Sequence, residues 1–253
     1  MSFLFVAFLT VCVFATSLLS GVFGMAGGLI LMTILLVALP VQSAMTIHAA
    51  IQLVANGWRC WIWRKHIVWR VLPFYGMGIV TGFSLMLLIH YVPDKAMVLI
   101  LMGAVPLAAM ALEGHIKLSI MNRGQTFITA TILTFIQMTA GIIGPLLDLL
   151  YNNAPLTRQQ IISTKAFTQT VMHMVRLTYF GTLIPLITGQ SGWPSDIPVL
   201  WLPVFLIASV AGTSAASVVV HRMNDGQFKG LTRGLIMIVC VYCLLRGLLY
   251  LWS

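Results

Sequence analysis

One set of polar residues stands out inside an apolar stretch in the second half of the chain. At about 100° per residue, four of them share one narrow face of a helix: Lys165, Gln169, His173 and Arg176. Ionisable groups cost about 2.5–3.5 kcal/mol each to insert into hydrocarbon, so they normally face a protein interior or a water-filled cavity. A lysine, an amide and an imidazole supply a positive charge and several donors. Together with Thr164, this stripe predicts a binding site for a small anion.

The same spacing occurs in the first half of the chain. The second stripe lies 117 residues earlier and consists of His48, Gln52, Asn56 and Arg59, with His48 in the place of Lys165. We interpret the two stripes as two halves of one site, to which His48, Gln52 and Asn56 contribute. Polar residues in membrane helices also serve as interhelical hydrogen bonds. Arginines near helix ends reach towards the membrane surface, and we expect this anchoring role for both arginines of the stripes.

Two glycine-containing breaks interrupt the apolar stretches. Gly24, Gly27 and Gly28 form the first, and Gly144 and Pro145 belong to the second. A helix that restarts after a break presents unsatisfied N–H groups and the positive end of its dipole, and both suit an anion. Proline is favoured at the first position of such a helix. Gly27, Gly28 and Gly144 therefore join the candidate substrate-binding residues, although a tight turn or close helix contact would explain the same glycines.

Asp148 is an acidic residue well inside an apolar segment, three positions after Pro145. Three roles are open for its carboxylate: it neutralises Lys165 in the empty state, carries a proton, or lies near the membrane edge. Asp148 and His173 are the two candidates for coupling transport to protons. The residue 117 positions before Asp148 is Leu31, so the two halves are not chemically equivalent.

The composition is that of a helical membrane protein. The chain has 253 residues, of which 60% are hydrophobic and only 8% charged, whereas about a quarter of a soluble domain is charged. Its apolar runs are long and continuous, which favours helices over an alternating β-barrel. The net charge of +9 comes mainly from short loops, so it indicates topology and not nucleic-acid binding. The four cysteines fall in apolar segments, and we expect no disulfide framework, metal or cofactor.

Two short apolar runs decide the topology. Gly28 to Leu39 and Leu146 to Tyr151 are too short to cross a core of about 30 Å as straight helices. If the chain doubles back at each break, it has ten segments. Nine of the loop Lys and Arg residues then lie on one side of the membrane and two on the other. If the chain crosses the membrane only eight times, the same residues divide six against five between the two sides. This contradicts the expected excess of Lys and Arg in cytoplasmic loops. We assign the nine to the cytoplasm: Arg64, Lys65, Arg70, Lys117, Arg123, Arg158, Arg222, Lys229 and Arg233, against Lys95 and Arg246.

An odd number of segments per half means that the halves are inverted. The predicted fold is therefore an all-α polytopic membrane protein with two inverted repeats of about five segments each and short or broken helices at the glycine breaks. Residues 1–112 form the first transmembrane repeat, 113–125 a cytoplasmic linker and 126–253 the second repeat. Later in each half the offset becomes 130, as Pro73 to Gly82 matches Pro203 to Gly212. Inverted repeats with broken helices recur in secondary transporters, whose sites lie near the midplane.

Helix starts in the two halves place the glutamines at mid-depth. Thr157 and Gln160 have capping-box spacing, and Ser43 is expected to cap the equivalent helix of the first half. With helices starting there, Gln52 and Gln169 come close to the centre of the membrane.

The chain resembles the sulfite exporter TauE/SafE family of membrane permeases. The segment GVFGMAGGLIL (21–31), followed by a short apolar run and Leu39-Pro40, is similar to the glycine-rich opening of that family. The segment STKA (163–166) is similar to the second-half helix of some members. The resemblance implies export of small sulfur-containing anions, such as sulfite or organosulfonates, across a bacterial inner membrane. His48 and the segment GIIGPLLD (141–148) depart from the family pattern.

We therefore predict a multi-pass permease, not an enzyme, that moves a small oxyanion by alternating access, with proton coupling through His173 or Asp148 as a further hypothesis. The expected partners are the anionic substrate and the lipid bilayer, without nucleic acid, and a homodimer is left open. Three alternatives stay open: a permease for another anion or for a cation bound by Asp148, a membrane-embedded enzyme or redox protein, and a non-transporting subunit of a larger complex.

Overall fold

The structure, a computed structural model, describes residues 3–23, 26–189, 193, 197–220 and 225–252. Gly24 and Met25 of the first break and Arg222 of the predicted basic loops lie outside the described residues. The protein is all-helical, with 86% helix and no strand in the described part of the chain.

Eleven α-helices follow one another along the described residues. They are α1 (Phe3–Phe23), α2 (Ala26–Ala38), α3 (Val41–Ile62), α4 (Leu72–Ile89), α5 (Lys95–Leu112), α6 (Arg123–Ala140), α7 (Gly144–Tyr151), α8 (Arg158–Thr178), α9 (Ile184–Thr188), α10 (Leu202–Val220) and α11 (Asp225–Trp252). A π-helical turn, Tyr179–Leu183, joins α8 to α9, and 3₁₀ turns lie at Arg64–His66, Trp69–Val71 and Val199–Trp201.

Six stretches of the described chain are long and apolar enough to cross a membrane. They are Phe3–Val22, Trp69–Ile89, Lys95–Leu112, Arg158–Thr188, Val199–Ala216 and Gly230–Trp252. Helices α2 and α7 have 13 and 8 residues, which correspond to about 20 and 12 Å, so neither crosses a core of about 30 Å alone. The predicted short helices at the glycine breaks are therefore present.

The starts of α8 and α3 differ in their caps. The Thr157 hydroxyl accepts from the Gln160 N–H at 3.3 Å, and the Gln160 side chain accepts from the Thr157 N–H at 3.0 Å, as predicted. The prediction that Ser43 caps α3 was wrong. The first helical bond runs from the Ala44 N–H to the Pro40 carbonyl at 2.9 Å, so Ser43 already lies inside the first turn.

Two of the closest helix pairs run parallel. Helices α1 and α10 make extensive contact along their length: the ring of Phe3 meets that of Trp201, and further on Gly21 lies against Ala216. Helices α4 and α6 pair in the same sense, with Gly78 against Ala130. Small residues at these positions let the helix backbones approach closely, which is the usual basis of helix association in membranes.

The other two close pairs run antiparallel. At one end of the α3–α8 pair, the Gln42 amide donates to the Phe180 carbonyl at 3.3 Å. At the other end, the Val68 N–H donates to the Thr164 hydroxyl at 2.9 Å. Helices α5 and α11 are likewise antiparallel, because Gly103 of α5 lies against Cys240 and Leu244 of α11, while Gly247 of α11 lies against Ala96 and Ile100 of α5. Within each of these pairs, residues late in one helix therefore meet residues early in the other.

These directions gather most of the described basic residues on one side of the bundle. The end of α3, the start of α8 and the connection between α5 and α6 lie together there, since the Asn153 amide donates to the Leu118 carbonyl at 3.2 Å. We call this the basic side; it carries Arg64, Arg123 and Arg158.

The opposite side of the bundle carries Lys95 and Arg246, both of which lie over the Tyr250 ring. These two residues belong to α5 and α11, close to the beginning of α5 and to the end of α11.

Candidate binding site between the helix breaks

The antiparallel α3–α8 pair brings the two polar stripes face to face. The rings of His48 and His173 meet edge to face, with centroids 5.8 Å apart. Beside them is a central cavity in which the space open to the centre of a water molecule is about 40 Å³, more than the ~10–15 Å³ that one water needs. Seven residues predicted for the site line it: Gly28, His48, Gln52, Asn56, Gly144, Gln169 and His173.

Both helix breaks contribute to the wall of the cavity. Gly28 lies in the first turn of α2, while Gly144 and Pro145 begin α7, and all three line the central cavity. The first N–H groups of a helix have no partner within it and carry the positive end of the helix dipole. The wall thus offers two helix N-termini, as the glycine pattern predicted, and none of its described residues is acidic.

Arg176 closes the cavity away from the basic side. Its side chain is fully buried, and its guanidinium donates to the Gly141 carbonyl and to Nδ1 of His48. A guanidinium can only donate, so Nδ1 of His48 accepts from it, and Nε2 lies 2.9 Å from the Gly28 carbonyl, which can only accept. These two contacts together require a neutral His48 ring that is protonated on Nε2. We call this contact the closed end. The prediction that Arg176 is an interfacial anchor was wrong, because the carbonyl that ends α6 draws the guanidinium inward.

Two glutamines at the cavity each have a buried polar atom without a hydrogen-bond partner among the described residues. Nε2 of Gln52 has no hydrogen-bond partner among the described residues, although the Asn56 amide donates to the Gln52 backbone carbonyl at 3.0 Å. Gln137 pairs through Nε2 with Nδ1 of His173 at 3.3 Å, and its Oε1 likewise has no partner in the described chain. Buried polar atoms of this kind normally have partners, so they indicate room for a polar guest.

A larger space, the vestibule, leads from the cavity towards the basic side. Its volume is about 800 Å³, and it shares Gln169 and Pro145 with the central cavity. The described part of its wall has four basic and two acidic residues: Arg59, Arg158, Lys165 and Arg233, with Glu113 and Asp148. Lys165 therefore lies in the vestibule and not in the central cavity. It forms an ion pair with Asp148, and the two side chains are 15% and 34% exposed.

The model of the sulfite exporter TauE/SafE family matches residues 9–243 of the chain. The chain belongs to this family. Searches of curated proteins and of solved structures each found no match. The family makes the protein a multi-pass membrane permease or exporter, and the resemblance seen in the glycine and STKA segments is confirmed.

The structure of this TauE/SafE permease places two predicted residues outside both spaces. Thr164 is buried and its hydroxyl accepts from the Val68 N–H, so it joins α8 to the connection between α3 and α4. Gly27 lies directly against the backbone of α1 at Thr16 and Ser20, where a side chain has no room. Thr164 and Gly27 therefore contribute to helix packing beside the site.

Gln137 is a cavity residue that the sequence stripes did not include. It lies on α6, outside both stripes, and lines the permease cavity together with Ser20. The two residues are 117 positions apart, which is the offset that relates the stripes. Extending that offset to α1 and α6 was the signal that could have found them.

Proposed function

We propose that this permease moves a small sulfur-containing oxyanion, such as sulfite or an organosulfonate, through the central cavity by alternating access. One observation carries the proposal: on one side of the cavity Arg176 is buried against His48 and the Gly141 carbonyl, and on the other side the cavity continues into the vestibule. A site that is closed to one side and open to the other is what alternating access requires.

The donors around the cavity support an anion as the cargo. Gln52 and Gln169 face the space from opposite helices, and the N-termini of α2 and α7 supply N–H groups. In the proposed path Lys165 attracts the anion in the vestibule, the two glutamines orient it, and His173 donates to it. A cation is disfavoured, because Asp148 is already paired with Lys165 and the described cavity wall has no carboxylate.

The helix pattern supports two inverted repeats of five segments each. Val41 and Arg158, which begin α3 and α8, are 117 residues apart, and Lys95 and Asp225, which begin α5 and α11, are 130 apart. Under this correspondence α3–α8 and α5–α11 pair a segment with its own counterpart, and both pairs are antiparallel. The same correspondence relates α1 to α6 and α10 to α4. The α1–α10 pair in the structure therefore has its equivalent in the α6–α4 pair. We infer repeats over 1–112 and 126–253, joined by a linker at 113–125.

The basic side is the cytoplasmic side in this proposal. Lysine and arginine are enriched in cytoplasmic loops, and Arg64, Arg123 and Arg158 lie on that side. The vestibule then opens to the cytoplasm of a bacterial inner membrane, which suits an exporter that collects its cargo inside the cell.

Flux measurements test the proposal. Purified protein in liposomes should carry sulfite or sulfoacetate, and an inside-to-outside pH gradient should change the rate if His173 or Asp148 couples transport to protons. Flux that is independent of the gradient removes the coupling. The absence of flux for every small oxyanion, with the protein folded, removes the oxyanion as cargo and favours a supporting role in a larger complex.

A further inference from the structure

The arginine at the vestibule end of α3, Arg59, has no acidic ion-pair partner among the described residues. Arg59 lines the vestibule, and its Nη2 atom is buried without a hydrogen-bond partner among the described residues. Lys165 lines the same space and is held by Asp148. Arg59 and Lys165 thus face the vestibule from the opposing helices α3 and α8, and the carboxylate of Asp148 on α7 is paired with Lys165. The other charged residues of the described wall are Arg158, Arg233 and Glu113.

The repeat relates these two cations to the closed end. Arg59 corresponds to Arg176 and Lys165 to His48, each at an offset of 117. At the closed end the guanidinium of Arg176 meets a neutral imidazole, so the contact involves a single positive charge. At the vestibule end the equivalent contact would join two positive charges, which repel strongly once water is excluded. An anion between them removes that obstacle.

We propose that Arg59 and Lys165 form a second anion-binding position, which closes the vestibule when an anion bridges them. When the vestibule closes without cargo, the bridging anion is the Asp148 carboxylate, which in the structure pairs with Lys165; when it closes on cargo, the bridging anion is a small oxyanion. Asp148 has no counterpart in the first half, where Leu31 stands, because the closed end joins one cation to a neutral ring and has no repulsion to offset. The identity of the cargo rests on the proposed function, whereas the bridging position rests on these contacts.

Distances across the vestibule test this position. Spin labels at Ile116→Cys and Ile162→Cys, which lie on its wall, report closure in protein whose Cys12 and Cys60 are serine. Without small anions, the parent protein should show a long and a short distance. In Asp148→Asn the short-distance fraction should fall at least about tenfold, a factor that corresponds to about 1.4 kcal/mol. Sulfoacetate should restore it.

Removing either cation should rescue closure in the Asp148→Asn background. Lys165→Gln or Arg59→Gln leaves one of the two facing cations and so removes the repulsion between them, and the short distance should return without sulfoacetate. Arg64→Gln, an exposed arginine on the same side that hydrogen-bonds to the Trp61 carbonyl, is the matched control and should not rescue. An unchanged distribution in Asp148→Asn, or equal rescue by Arg59→Gln and Arg64→Gln, overturns the proposal. Failure of sulfoacetate to restore closure in Asp148→Asn overturns the claim that cargo takes this position.

The two proposals fail separately. If the distances respond as expected but liposomes carry no sulfite or sulfoacetate, the anion position stands and the permease cargo is rejected. If flux is normal but the distance distribution is the same in Asp148→Asn as in the parent protein, only the bridging position is rejected.

Discussion

The two ends of the α3–α8 pair have the same residue spacing but opposite states. At the closed end, Arg176 is fully buried against His48 and the Gly141 carbonyl. At the vestibule end, Arg59 and Lys165 face a space of about 800 Å³. The chemical difference is one charge, because a neutral imidazole stands where the other half has an ammonium group. Under the proposed repeat, equivalent positions in the two halves form contacts that differ in their need for an anion.

The largest effect should come from making the closed end like the vestibule end. His48→Lys places a second cation against the buried Arg176, and the described cavity wall has no carboxylate to neutralise it. Unpaired buried charges cost about 3–5 kcal/mol, so sulfite flux in liposomes should fall more than about 100-fold. His48→Gln keeps an acceptor for the guanidinium and should retain most of the flux. Normal flux in His48→Lys would contradict the claim that the closed end requires a neutral side chain beside Arg176.

Removing the guanidinium from each end should have unequal effects on stability. Arg176→Met leaves the Gly141 carbonyl and the His48 ring without their donor, which costs about 2–4 kcal/mol and should lower Tm by roughly 5–15 °C. Arg59→Met is the matched variant at the vestibule end and should lower Tm much less, since the Arg59 Nη2 atom has no hydrogen bond to lose within the described residues. Equal losses in thermal unfolding would contradict this account.

Giving the vestibule end the residues of the first half should make the two ends alike. The double variant Lys165→His with Asp148→Leu removes both charges, so the spin-labelled vestibule should show the short distance without sulfoacetate. Flux should fall by about 10–100-fold, because a charge-assisted hydrogen bond of about 1.5–3 kcal/mol to the anion is lost. A double variant that needs sulfoacetate to close, as Asp148→Asn does, would show that the charge of Lys165 is not the cause.

The smallest effect should come from the glycine that faces the cavity. A methyl group at Gly28 meets only the flexible end of Gln52, with Nε2 at 3.3 Å, so Gly28→Ala should weaken anion binding about 3–10-fold at unchanged Tm. Gly27→Ala drives the same methyl group into the backbone of α1 and should lower stability instead. Thermal unfolding and anion titration separate the two; equal behaviour would contradict the placement of the cavity.

Local helical periodicity and the repeated spacing of the two stripes predicted which polar residues come together. Helical spacing was enough to place His48, Gln52 and His173 on facing surfaces, and the glycine breaks located both helix N-termini. The depth of Arg176 was not predictable, because it depends on the α6 carbonyl at Gly141, 35 residues away in the chain. For the same reason the sequence placed Lys165 in one site with His173, whereas Lys165 lines the vestibule and His173 the central cavity, and Gln169 lines both spaces.

The most direct test of the central claim compares Lys165→Gln with Arg64→Gln in anion flux. Both variants remove one positive charge near the basic side, but only Lys165 lines the path. Sulfite flux should fall about 10–100-fold in Lys165→Gln, and the stabilisation of the purified protein by sulfite should disappear, while Arg64→Gln behaves as wild type. Undiminished flux and stabilisation in Lys165→Gln would contradict the account.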